Sequence, residues 1–83
     1  MRISQQTKLA LMAIWSGMVC LHNRRLDDRE REVINGTMPL NFDLLDKAGI
    51  PFRVQNAFLA AGEADTDYRQ VMTRFNITVD WRL

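Results

Sequence analysis

The chain has 83 residues, enough for one domain, and a chain of that size buries only roughly 60% of the surface its unfolded form exposes. Its 47% apolar content is that of a globular protein, not a disordered one. Eleven basic residues against ten acidic ones leave a net charge of +1, so no global field steers it toward nucleic acid or an anionic membrane.

Ser4 suits a helix N-cap, because its hydroxyl can accept from an unpaired N–H of the first turn. The helix that follows is expected from about Gln5 to about His22. Leu11, Ile14, Trp15, Met18 and Leu21 lie at the spacing of one helical face. Leu9, Met12, Ala13, Val19 and Cys20 spread apolar character over much of the remainder. A helix greasy on most sides belongs in a core or at an interface, and so few other elements can surround it that a partner chain is expected. The apolar run Leu9 to Leu21 is thirteen residues, short of the roughly 20 a membrane crossing needs. Arg2 and Lys8 before it resemble the start of a signal peptide. No small-x-small cleavage pattern follows, so a buried helix is the expected reading.

Cys20 is the only cysteine, which excludes an internal disulfide and favours a reducing compartment, the cytoplasm. It reads as a small core hydrophobe. Asp27 with Glu30 has capping-box spacing, and a short second helix is expected over about Asp28 to Ile34 within a solvated run of mixed charge. Asn35-Gly36 is a turn signal, and Pro39 argues against a strand beyond it. Asn41 then resembles an N-cap, with Leu40 and Leu45 as a hydrophobic staple, for a third helix from about Phe42 to Ala48.

Gly49 suits the left-handed position after that helix, with Ile50 folding back on its last turn, and Pro51 suits the first position of a fourth. The fourth helix is expected to end at Gly62. Asp65 or Thr66 would cap a fifth, whose Tyr68, Val71, Met72 and Phe75 form a clean amphipathic stripe. Asn76 can take the left-handed conformation that releases the tail. Ile77-Thr78-Val79-Asp80-Trp81-Arg82-Leu83 alternates apolar and polar side chains, the period of a half-buried strand. Such a strand must pair with its own chain, for which the Met1–Ser4 segment is available, or with another molecule. The expected fold is therefore mainly α: one compact domain over 1–83, a bundle of four to five short helices with an extended C-terminal segment able to form a short strand.

No catalytic or metal-binding motif emerges. His22 is the only histidine, and Cys20 and His22 are two apart on a helix, where they do not share a face. The acidic residues fall mostly at helix starts, where the helix dipole favours them, and the four glycines are scattered, so no phosphate loop exists. No cofactor and no enzyme activity are expected.

The run Leu44-Leu45-Asp46-Lys47-Ala48-Gly49-Ile50-Pro51-Phe52-Arg53-Val54-Gln55-Asn56-Ala57-Phe58-Leu59 resembles a helix-turn-helix. That resemblance implies a second helix entering the major groove, with Arg53 reading guanine and Gln55 or Asn56 reading adenine. Val54 lies one place early for it, and Pro51 stands where Ser or Thr is commoner. From Gly36 to Gly62, Lys47 and Arg53 are balanced by Asp43 and Asp46, a poor charge balance for holding phosphates. DNA binding is thus the alternative. The leading expectation is a small non-enzymatic protein that binds another protein or itself, with Trp15, Met18, Ile77, Val79, Trp81 and Leu83 as interface residues. Its size suits an accessory protein, such as an inhibitor or adaptor carried by a mobile element; no membrane partner is expected.

Overall fold

A computed structural model describes all residues 1–83. Ser4 caps the first helix, α1 (Gln5–Asn23), by accepting from the Thr7 N–H at 3.1 Å. Asp27 and Glu30 form the reciprocal capping box of α2 (Asp28–Lys47): the Glu30 N–H donates to Asp27 Oδ1 at 2.7 Å, and the Asp27 N–H to Glu30 Oε1 at 3.2 Å. The helices α3 (Phe52–Glu63) and α4 (Tyr68–Arg74) follow. Two-residue strands, β1 (Arg2–Ile3) and β2 (Thr78–Val79), pair in parallel with Arg2 opposite Thr78 and Ile3 opposite Val79. The tail therefore returns to the N-terminal segment of its own chain, and the whole helical body serves as the crossover between the two strands.

Four helices form instead of five, because α2 runs unbroken through Asn35-Gly36 and Pro39. No turn forms at Asn35-Gly36. Asn41 caps nothing; its side-chain amide donates to the Thr37 carbonyl one turn back. Leu40 is 71% exposed and staples no helix end. The reason is tertiary. Ile34, Met38 and Leu45 share one helical stripe, and Ile34 and Met38 pack on α1 at Gly17. Burial of that stripe outweighs the local turn preference of Asn-Gly. Pro39 costs one N–H donor but sits on the exposed face.

The helix ends are local devices. At the end of α2, Gly49 has φ 76°, its N–H donates to the Asp46 carbonyl, and the Ile50 N–H reaches back to Leu45 at 3.0 Å. Pro51 stands just before α3, one place earlier than expected, and its carbonyl receives the first helical N–H bonds from Val54 and Gln55. The stop after α3 is at Asp65, with φ 55°, not at Gly62; the Thr66 N–H closes it onto Ala61 at 2.8 Å. Asp67, not Asp65 or Thr66, caps α4 by accepting from the Arg69 N–H at 2.9 Å. Asn76, with φ 52°, ends α4 in the same left-handed way and turns the chain into β2.

Helix α1 lies at the centre, packed by both α2 and α3, while α4 packs on α3. Leu11, Ile14, Leu45, Val54 and Phe58 are the largest fully buried side chains. Gly62 belongs to the α1–α3 contact: a Cβ there would lie 2.3 Å from the Trp15 carbonyl oxygen. Absence of a side chain lets the two backbones approach. The Asn23 side-chain amide secures the contact by donating to the carbonyls of Gly62 and Glu63, both at 3.1 Å. Most of the grease of α1 is thus covered by its own chain, and Leu9 is the large apolar residue on it that stays exposed.

Candidate functional site

The exposed apolar surface concentrates away from α1. On α2, Val33 and Leu40 face solvent; Phe52 does so at the start of α3; Trp81 and Leu83 do so in the tail. Trp15 is half-buried and packs against the core. Its indole N–H donates to the Thr66 carbonyl at 2.8 Å, and its ring meets Tyr68 edge-on with centroids 5.2 Å apart. Met18 likewise packs against the core. Ile77 is buried in it, and Val79 half-buried on it. Those four residues are engaged by their own fold. Of the six residues expected at an interface, Trp81 and Leu83 alone leave their side chains largely open, at 74% and 67% exposure.

The reason lies in the geometry of the tail. Alternation holds through Ile77 and Val79, which turn inward while Thr78 turns outward. It then stops, because Asp80 gathers a turn around itself. The Leu83 N–H donates to the Asp80 carbonyl at 3.2 Å, and the Arg82 N–H donates to Asp80 Oδ1 at 2.9 Å. The guanidinium of Arg2, from the neighbouring strand, pairs with Asp80 Oδ2, and that of Arg82 with Oδ1 at 3.2 Å. The Arg82 backbone N–H, followed by the two guanidiniums, holds the Asp80 carboxyl below the usual carboxylate range. The carboxylate itself is covered, its side chain 9% exposed, whereas the side chains of Arg2 and Arg82 are 64% and 85% exposed. The surface there presents cationic donors over a hidden anion. Trp81 stands beside them, on a groove of about 500 Å³ lined by Arg2, Thr78, Val79, Asp80, Trp81 and Arg82.

Two backbone bonds fix this segment from one side: the Thr78 N–H donates to the Met1 carbonyl and the Asp80 N–H to the Ile3 carbonyl, both at 2.8 Å. Successive residues of a strand direct their hydrogen-bonding groups to opposite edges. The N–H and C=O of Val79 therefore point away from β1, toward an edge where no other segment of the chain hydrogen-bonds to them.

The helix-turn-helix corner buries one of the three residues expected to read bases. Gln55 is 3% exposed, and its amide donates inward to Asp46 Oδ1 at 2.9 Å and to the Ile50 carbonyl at 3.0 Å. It ties the end of α2 to the start of α3 and has no reach to a base edge. Arg53 and Asn56 remain exposed.

Chemistry-bearing clusters are sparse. No group of three or more His, Cys, Asp or Glu side chains is placed to hold a metal ion. Cys20 is half-buried and His22 exposed at the end of α1. Asp67 is held below the usual carboxylate range by its side-chain contact with Arg69, and Lys47 is raised by Asp43; both pairs are exposed surface contacts. No helix is long and apolar enough to cross a membrane. No family model matches the chain, nor does any curated protein or solved structure.

Proposed function

We propose that this chain is a small non-enzymatic binding protein that docks on another protein, or on a second copy of itself, through its C-terminal tail. The observation that carries the reading is Trp81: a tryptophan 74% exposed on a segment tied down by backbone pairing and by the Arg2–Asp80–Arg82 contacts. Tryptophan is enriched among residues that dominate binding energy, and a pre-ordered anchor loses less entropy on docking than a mobile one. Leu83 extends the same apolar end. Trp15, Met18 and Ile77 take the part of core residues in this reading, and α1 belongs to the body that carries the tail.

Removing residues 77–83 would extract buried Ile77 and dismantle the strand pair, so the cleaner test is Trp81→Ala, alone and with Leu83→Ala. Complexes are recovered from native-host extract and their masses read by light scattering and mass spectrometry. A partner, or a second copy, retained by the parent chain and lost from the variant supports the tail. Retention by both variants with unchanged yield overturns it.

A further inference from the structure

We infer that the free edge of β2 accepts an extended acidic segment of a partner protein as an added strand. The inference rests on the tail being the docking site and names what occupies it. Three features converge there. Val79 offers an unpaired N–H and C=O along the outer edge, the backbone requirement for strand addition. Arg2 and Arg82 hold two guanidiniums in solvent above a covered Asp80 carboxylate, leaving donors free for a further anion. Trp81 borders the same groove and supplies an apolar surface for the methylene stem of an incoming acidic side chain.

A second copy fits this edge less well. Antiparallel pairing about Val79 would gather four guanidiniums over two carboxylates on one face. The two Trp81 side chains would together contribute roughly 300–500 Å², against the roughly 1,200 Å² or more that a stable dimer buries. An acidic strand reverses the charge imbalance and needs no two-fold match. Carboxylates alternating with apolar residues would place the acids beside Arg2 and Arg82 and the apolar groups on the other face.

The probe is a blocked seven-residue peptide alternating glutamate with valine, titrated into the ¹⁵N-labelled full chain and followed by amide shifts. A second peptide carries lysine in place of glutamate. The expected result is shifts confined to Thr78–Arg82, weakened by salt, with the lysine peptide binding at least tenfold more weakly. Val79→Pro removes the outward N–H and leaves both bonds to β1 in place; it should weaken binding at least tenfold with the helical circular dichroism unchanged. Hydrogen exchange of the parent chain is a second readout that needs no variant: Val79 should exchange freely while Thr78 and Asp80 are protected. Equal binding of the lysine peptide, no shift at 78–82 up to millimolar glutamate peptide, or protection of Val79 in the free protein would overturn the inference. So would a doubled mass that Val79→Pro abolishes, since a second copy would then occupy the edge. If Trp81→Ala loses a host partner while the acidic peptide shifts nothing, the tail remains the docking site and the acidic strand alone is wrong.

Discussion

Gly62→Ala is the sharpest test of how this small core is assembled. In an exposed helix interior, alanine is favoured over glycine by about 1 kcal/mol. At Gly62 the added Cβ would stand 2.3 Å from the Trp15 carbonyl oxygen and 2.8 Å from the Met18 Cβ. A carbon and an oxygen need roughly 3.3 Å, so α1 and α3 must part by about 1 Å. The obstacle is backbone in mid-helix, which no rotamer change relieves. Overpacking typically costs about 1–3 kcal/mol, and this geometry belongs at the upper end. After the helix-propensity gain is subtracted, a net loss of about 2 kcal/mol is expected. For a domain of this size that lowers Tm by roughly 8–16 °C. The Trp15 indole bond to Thr66 and the Asn23 bonds to Gly62 and Glu63 span the same contact, so the near-ultraviolet signal of Trp15 should change as well. Thermal and urea unfolding followed at 222 nm measure the effect. Gly36→Ala is the matched control: Gly36 is exposed in α2, and nothing lies within 4 Å of its added Cβ. That variant should gain about 1 kcal/mol. If both substitutions raise Tm alike, close approach is not what Gly62 provides.

Other consequences follow from the tail and the helical corner. Asp80 is held below the usual carboxylate range, so its charged form is favoured by folding; its stabilisation is complete above an ordinary carboxylate value of about 3.9 and is lost as pH falls through the lower folded value. The protection of the Thr78 and Asp80 amides, measured against intrinsic exchange at each pH, should fall in that acid window, and Asp80→Asn should show lower protection at neutral pH. Protection that stays unchanged in both cases would mean that the ion contacts do not hold the strand. Gln55→Ala should cost about 1–3 kcal/mol in urea unfolding, because the Ile50 carbonyl loses its buried donor. Arg53→Ala, on an exposed side chain of the same helix, should change stability by less than about 0.5 kcal/mol. Acrylamide should quench Trp81 freely and Trp15 weakly, resolved by Trp81→Phe; equal quenching of the two would contradict the exposed anchor.

What the sequence makes legible in this fold is what a few neighbouring residues decide alone. Ser4, the Asp27–Glu30 box, the Gly49 stop and the left-handed Asn76 all work through hydrogen bonds within one or two turns, and each occurs where its spacing predicts. Asn35-Gly36 and Pro39 are equally local signals, yet a helix passes through them. The stripe Ile34–Met38–Leu45 continues the 3.6-residue period across both, and reading that period past the turn signal would have joined the two short helices. Gly62 misleads for a related reason. A glycine near the end of an amphipathic stretch resembles a C-terminal stop, but its purpose here is a contact with Trp15, 47 positions away in sequence. Nothing in the neighbouring residues encodes that contact.

The tail shows the same division between local pattern and tertiary demand. Period-two alternation correctly makes Ile77 and Val79 inward residues, and the N-terminal segment satisfies one edge of the resulting strand. By the same alternation Trp81 would be inward too. It is outward because Asp80 draws the Arg82 N–H and two guanidiniums into a turn before the strand can continue. The Asp80 turn thus ends the alternation one residue before the exposed Trp81. It does so while tying β1 to the tail, so that the exposed ring is also a held ring. If Trp81 were only a loose end, its exposure would carry no more meaning than that of Leu9, which stands alone on α1. What separates the two is that Trp81 shares its groove with Val79 of the strand edge and with two solvent-exposed guanidiniums, the combination on which the docking proposal rests.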